Sequence, residues 1–482
     1  MFIGRQNELK LLNQLYESNS FECLILYGRR RIGKTFLLDE FAKKTNSLYF
    51  QAQESTDQYN LSLFSQKVLS KFPGPSYLKE FSNWHDCFQY LYENLQKEPC
   101  VLMIDEFPYL AYQNSSTLSL WQEFIDHSLR KTKTLLILCG SSISFMESEV
   151  LGYQSPLFGR RTAQLKLEEL TFFDAQPFYS NFCYEDQIKL YCTLGGTPYY
   201  LSMIKSDESA DDNIKRLFFS NYGYMYNEMG MLLKQELREP AVYNRVIQAI
   251  ACGKTKMNEI CDYVNESSSK VSKYLSNLIQ LQIIEKHLPF GESEGKSRKG
   301  VYQLYDLGFR FYYRFVFQKQ ASINTGLGDN VYDQDVKPFL SDYLGYGFEK
   351  ICIQYLVKEN LKGNLPIQFT RIGNWWGNNP KEKKEELKQK SLMLMEYLQK
   401  GEYEKVGKEV SLAVVGLDAE ILRHEFSKVP DVYGEFQNVD KIKMMRIESG
   451  YQVIVFINFE NYKAEYSFAY DENGKVLGIY FK

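Results

Sequence analysis

The chain has 482 residues, 44% of them apolar and 24% charged, and its 57 Lys+Arg against 60 Asp+Glu leave a net charge of −3. That length amounts to about three domains, and the composition excludes a disordered or fibrous chain. The near-neutral balance excludes nucleic-acid binding by overall charge; a local basic patch would be needed.

In chain order, the opening MFIGRQNELK is not a signal peptide. Residues 7–18 place Leu9, Leu12 and Leu15 on one helical face. Cys23 to Tyr27 is a short, continuously apolar run, the pattern of a buried parallel strand. A glycine-rich turn and a helix over Thr35–Lys44 follow, then a helical region to about residue 98. Cys100–Ile104 and Thr134–Cys139 read as two more buried strands, the first ending in Asp105-Glu106 and the second in Gly-Ser-Ser. Strands alternating with helices predict an α/β domain with a parallel sheet.

Residues 165–235 read as helical, broken at Leu194-Gly-Gly-Thr-Pro198. Residues 240–318 hold three short helical patterns and a Gly/Ser/Lys stretch, Gly291–Gly300, between apolar segments. A loop is expected over 319–335, then a short helix, a strand-like Gln368–Ile372 and a Trp-Trp-Gly turn. After Pro380 a charged helix opens, and the tail alternates as antiparallel strands over Ile442–Ile447, Tyr451–Phe459, Lys463–Tyr470 and Val476–Phe481. No apolar run approaches the roughly 18 residues that span a bilayer, so a cytoplasmic protein without a membrane partner is expected. Nine scattered cysteines with no CxxC pair, and four histidines, argue against zinc. The cysteines read as small buried side chains in a reducing compartment.

Gly28-Arg-Arg-Arg-Ile-Gly-Lys-Thr35 fits the GxxxxGK[ST] phosphate loop, in the strand-to-helix context that such a loop requires. Glycines let backbone N–H groups face phosphate oxygens, and the helix N-terminus adds partial positive charge. Lys34 is expected at the β- and γ-phosphates and the Thr35 hydroxyl on Mg²⁺. The nucleotide contacts are assigned to Gly28, Arg29, Arg30, Arg31, Ile32, Gly33, Lys34, Thr35 and Phe36. Asp105, at the end of a neighbouring strand, would hold Mg²⁺ through water, and Glu106 would act as general base on the attacking water. Ser141 is a candidate sensor of the γ-phosphate or of that water, or an ordinary helix cap. Arg160 and Arg161 are candidates for transition-state charge, or for a structural ion pair.

Phe2-Ile-Gly-Arg-Gln-Asn-Glu8, YGRRRIGKT, VLMIDEFPYL, ILCGSS, SPLFGRRT and LGGTPYYL occur in that order. Over residues 1–380 this series resembles the archaeal-type ATPase family within the AAA+/STAND class of P-loop proteins. The resemblance implies ATP as ligand, Arg5 and Glu8 near the base, and Pro198 touching nucleotide from a helical lid. It also implies a winged helix-turn-helix, for which 256–264 and 268–281 supply two helices and 291–300 the wing. Lys270, Lys273, Lys296, Arg298 and Lys299 are then candidate contacts to double-stranded DNA. Residues 254–330 carry only 11 Lys+Arg against 8 Asp+Glu, a weak surplus for that role. Such chains continue into a PD-(D/E)XK nuclease-like domain. Here Glu349 is present, but the acidic and Glu-x-Lys strands that should follow are not, so no nuclease activity is expected. The tail is similar to a small bacterial α+β module of unknown function, suited to binding or self-association, with His424 standing alone.

The expected architecture is multidomain: an α/β P-loop NTPase domain (1–165), helical lid (166–238), winged helix-turn-helix (239–320), nuclease-like remnant (321–380) and C-terminal α+β domain with a curved antiparallel sheet (381–482). The expected function is slow Mg²⁺-dependent ATP hydrolysis driving a conformational switch. The alternatives are a nucleotide-regulated DNA-binding regulator and a scaffold for a protein partner.

Overall fold

The computed structural model describes residues 2–482 apart from 115, 238, 293–299, 375–379, 411–413, 415–417, 448–449 and 472–473, and apart from the side chains of 380–383 and 430. The chain forms two compact units, Met1–Asn374 and Trp375–Lys482.

The first unit is built on a parallel sheet of β1 (Glu22–Tyr27), β2 (Ser47–Gln51), β3 (Val101–Asp105), β4 (Leu135–Gly140) and β5 (Ala163–Lys166), in the order β2-β3-β4-β1-β5. The three central strands carry unbroken apolar runs, Cys23–Tyr27, Val101–Ile104 and Leu135–Cys139, because both faces are covered. Leu24, Leu26, Val101 and Met103 face Leu12, Leu37 and Phe41 on one side. Ile25, Leu102, Ile104 and Leu138 face Phe88, Trp121 and Phe124 on the other. The alternation follows from the two-residue period of a strand. The expected unbroken helical region to residue 98 is corrected: β2 forms an edge strand before the helices Asp57–Lys71 and Trp84–Leu95. Its SLYFQ is half-buried and lacks the apolar run that betrays a central strand.

Beyond the sheet, helices Tyr184–Leu194, Pro198–Leu201, Ala210–Phe218 and Tyr224–Glu236 are followed by Pro240–Ala251, Met257–Val264 and Ser268–Gln280. An antiparallel hairpin of β6 (Ile284–His287) and β7 (Val301–Leu304) comes next. All share one apolar core. At the 194–198 break, a Cβ on Gly196 would lie 2.0 Å from the Leu170 carbonyl oxygen, so only glycine permits that approach. The expected loop at 319–335 is instead two helical stretches joined at a kink at Gly326 (φ 87°), with Ile323, Val331, Tyr332 and Val336 buried. The short helix expected after it runs 22 residues, Leu340–Leu361. Residues 368–372 form no strand; alternation alone makes none where no edge is offered for pairing.

In the second unit, β8 (Phe436–Ile447), β9 (Gly450–Phe459), β10 (Lys463–Tyr470) and β11 (Val476–Phe481) form an antiparallel sheet in chain order; the last three match the expected limits to within a residue, while β8 starts six residues before the expected Ile442. Leu387, Leu394 and Leu398 of the helix Pro380–Gln399 enter the same core as Val453, Val455 and Phe468. There Ser391 Oγ and the Tyr470 hydroxyl meet at 2.7 Å, which satisfies both buried hydroxyls.

Among the described residues no helix is long and apolar enough to cross a membrane. Cys23, Cys87, Cys100, Cys139 and Cys192 are buried as expected, while Cys183 and Cys252 are exposed, both at helix ends rather than inside apolar runs. Burial pushes the Cys23 and Cys87 thiols up to about 12, so they behave as small apolar groups.

Candidate functional site

The chain leaves β1 at Gly28, where a Cβ would lie 2.4 Å from the Leu167 carbonyl oxygen. It turns through Arg31 (φ 69°) and Gly33 (φ 93°) into the helix Lys34–Ala42. The backbone N–H groups of Arg30, Arg31, Ile32 and Gly33 meet no acceptor among the described residues. Buried Lys34 turns its Nζ onto the carbonyl oxygens of Gly28 (2.8 Å) and Arg29 (2.9 Å). Curled N–H donors, a helix N-terminus and an ammonium group at one place make an anion site.

The acids approach from the sheet. They do not sit on a neighbouring strand as expected: β4 lies between β1 and β3. The side chains nevertheless meet, and the Thr35 hydroxyl donates to Asp105 Oδ2 at 2.8 Å. The Tyr49 hydroxyl donates to the same oxygen at 2.8 Å, and the Glu106 N–H donates to Oδ1 at 2.9 Å. Asp105 is completely buried. A carboxylate and a hydroxyl in direct contact are hard oxygen donors of the kind Mg²⁺ takes, usually with waters completing its shell, so the residues fit the ion. Glu106 has φ 50°, a strained conformation for a non-glycine residue. Its Oε2 accepts from the Ser141 hydroxyl (2.8 Å) and the Ser141 N–H (3.3 Å). Ser141 therefore holds Glu106 rather than ending a strand idly. Sequence reasoning missed Tyr49, because β2 had been read as helix; burial and then Asp105 push its phenol well up.

It also missed what the three loop arginines touch. Arg29 Nη1 lies 2.5 Å from Asp306 and 3.6 Å from Glu169. Arg30 Nε lies 3.4 Å from Glu236. Arg31 Nη1 lies 2.5 Å from Glu228, with its guanidinium over the rings of Tyr199 and Tyr224. Glu228 and Glu236 sit on the helix Tyr224–Glu236, and Asp306 caps the helix that starts at Leu307, accepting from the Phe309 N–H at 2.8 Å. Burial works against the Arg29 charge, but Asp306 and Glu169 outweigh it and hold the guanidinium above its ordinary value. No local motif signals these acids, which lie about 140 to 280 residues from the loop.

Burial, then the charge of Asp306, raises the Glu169 carboxyl to about 7 against the pull of Arg29. An acid raised in the folded state binds a proton there that the unfolded chain has already lost. Its contribution to stability therefore falls as pH climbs from the ordinary value of 4.5 to about 7. Glu169→Gln is expected to flatten the decline in melting temperature across that window. Equal slopes for the two proteins in a pH series would refute the assignment.

The other candidates fall in several places. Arg5 is buried and donates to the carbonyl oxygens of Ile32 (3.1 Å) and Glu168 (2.6 Å) and to Glu8 (3.2 Å), fastening the loop from outside. Phe36 is exposed. Pro198 opens the helix Pro198–Leu201 facing the loop, its Cγ 3.9 Å from where a Cβ on Gly33 would be. Arg160 is engaged with Asp126 through two nitrogens at 2.7 and 3.1 Å, the structural ion pair of the two readings, and Arg161 is exposed. Lys270 pairs with Glu266 (3.1 Å) and Lys273 is exposed. Lys296, Arg298 and Lys299 lie outside the described residues. Glu349 and His424 are both exposed on helices.

Residues 2–204 match the model of an ATPase domain predominantly from Archaea, and residues 312–413 match archaeal and bacterial proteins of unknown function. An uncharacterized protein of Methanocaldococcus jannaschii is 36% identical over 378 residues, 78% of this chain and 82% of its own. An uncharacterized ATP-binding protein of the same organism is 46% identical over 41 residues, 8% of this chain and 70% of its own. Among solved structures, a Walker-type ATPase of Pyrococcus abyssi aligns with a TM-score of 0.48 at 19% identity, covering 65% of this chain and 96% of that one. The ORC2 protein of Aeropyrum pernix aligns at 0.42 and 12%, covering 68% and 96%.

Proposed function

The chain belongs to the family of ATPases found predominantly in archaea, and on that premise we propose that it is a slow Mg²⁺-dependent ATPase that works as a conformational switch. One observation carries the switch. Each arginine of the phosphate loop is paired with a carboxylate contributed from beyond the sheet: Arg29 with Asp306, Arg30 with Glu236 and Arg31 with Glu228. Triphosphate oxygens entering the loop compete for the same guanidinium groups. Binding then loosens or re-sets the helix Tyr224–Glu236 and the helical run after Asp306. A ligand shifts such an equilibrium only by its differential contacts with the two states, and these three pairs supply them.

In this reading Lys34 and the loop N–H groups hold the phosphates. Thr35 and Asp105 hold the ion, which supplies charge neutralisation when bound. Glu106 takes the proton of the attacking water once it leaves Ser141. The three-helix and hairpin arrangement of 240–304 suits a winged helix. Its use on duplex DNA gains less support, since Lys270 is already engaged by Glu266.

Glu106→Gln is expected to bind ATP normally and to hydrolyse it at least about 100-fold more slowly, the scale of a lost general base. With ATP trapped in that variant, amide exchange in 224–236 should change. Wild-type turnover in Glu106→Gln would remove the base, and unchanged exchange in 224–236 would remove the switch.

A further inference from the structure

We propose a second small-molecule site in the first unit, independent of the phosphate loop, that takes a nucleoside phosphate. A cavity of about 440 Å³ opens between the end of the helix Pro240–Ala251, the strand β7 and the helix Leu340–Leu361. That volume lies in the ordinary range of ligand pockets.

Two arginines reach it, Arg310 and Arg314, four residues apart on one helical run. Neither side chain has a hydrogen bond or ion pair to a described residue, and Arg310 Nε is buried without a hydrogen-bond partner. A buried guanidinium N–H left unsatisfied costs free energy, so Arg310 Nε is a donor open to an acceptor from outside the chain. The guanidinium of Arg310 lies over aromatic rings, 4.0 Å from the ring centre of Tyr346 and 5.8 Å from that of Tyr343. The hydroxyls of those rings are engaged elsewhere, Tyr346 with Glu285 (2.9 Å) and Tyr343 with the Leu307 carbonyl (3.4 Å). Both hydroxyls are thus held in place.

The lining also narrows the ligand class. Guanidinium groups match phosphate oxygens in paired N–H···O geometry, and the cavity has two of them in its lining. A bare phosphate would leave most of the cavity unfilled and would be repelled by Asp342, the one acid among the lining residues. Asp342 has no partner among the described residues, and an ionised carboxylate only accepts hydrogen bonds; sugar hydroxyls supply the donors it needs. Phe315, Phe339, Tyr343 and Tyr346 line the cavity, and aromatic side chains suit a planar base. Anion, hydroxyls and planar ring together describe a nucleoside phosphate. The cavity spans the start of the 312–413 segment that matches proteins of unknown function, and gives that segment a concrete task.

The test uses the full chain carrying Lys34→Ala, so that the phosphate loop cannot answer for the second site. Titration calorimetry with adenosine 5′-monophosphate, guanosine 5′-monophosphate and inorganic phosphate is expected to show one of the nucleotides binding once per chain. Inorganic phosphate should bind more weakly. Adding Arg310→Gln or Arg314→Gln is expected to weaken that nucleotide about tenfold or more, as for loss of a charge-assisted phosphate contact. Arg314→Gln alone, with Lys34 intact, should keep its ATP affinity, which guards against misfolding. The proposal falls if neither nucleotide binds at millimolar concentration. It falls equally if both arginine variants bind as tightly as their parent, if inorganic phosphate binds as well as the nucleotides, or if duplex DNA displaces them.

Discussion

Lys34→Ala is expected to weaken ATP binding at least about 100-fold while leaving the protein folded. The magnitude follows from the number of contacts: hydrogen bonds to charged groups contribute about 1.5–3 kcal/mol each. An ammonium spanning two phosphates therefore supplies about 3–6 kcal/mol, or two to four decades of affinity. The folding cost is smaller. Without ligand, Lys34 Nζ donates to the carbonyl oxygens of Gly28 and Arg29, so alanine removes two hydrogen bonds from a loop whose acceptors can turn to water. About 1–2 kcal/mol is expected there, visible as a few degrees in melting temperature. Equilibrium binding of a fluorescent ATP analogue, with circular dichroism on the same samples, separates the two effects. Retained binding in a folded variant would mean that the loop holds phosphate by its N–H groups and Arg29–Arg31 alone.

The sheet and loop were legible because their signals are local. A strand buried on both faces is a run such as LILY or VLMI, and a phosphate loop is eight consecutive residues in a fixed context. Tyr49 was hidden because a half-buried edge strand carries no such run. Asp306, Glu228 and Glu236 were hidden for a different reason: their role exists only through tertiary contact with arginines over 190 residues away. Within the 319–335 segment Gly326 does interrupt the helix, at φ 87°. Gly328 in fact sits where a Cβ would fall 1.7 Å from the Phe219 carbonyl oxygen, so it marks close helix packing.

Asp306→Asn is expected to destabilise the first unit by about 3–5 kcal/mol, the usual cost of breaking a buried ion pair by removing one charge. Asparagine is chosen over alanine because it still caps a helix. The Asp306 bond to the Phe309 N–H is then largely kept, and the lost charge is isolated. One feature tempers the loss. Glu169, at 3.6 Å from Arg29, can ionise in place of Asp306 once the Asp306 charge no longer holds it protonated. The pH dependence assigned to Glu169 should accordingly shrink in Asp306→Asn, which makes the two variants a mutual check. The consequence for nucleotide then separates two roles of the pair. If Asp306 only supports the loop, Asp306→Asn weakens both the fold and ATP binding. If it competes with phosphate for Arg29, as the switch requires, the variant melts earlier yet binds ATP more tightly, because the guanidinium no longer has to be taken from a buried partner. Melting curves with and without saturating ATP decide between them: competition predicts a larger ATP-induced stabilisation in Asp306→Asn than in the wild type, and an equal or smaller one removes Asp306 from the switch.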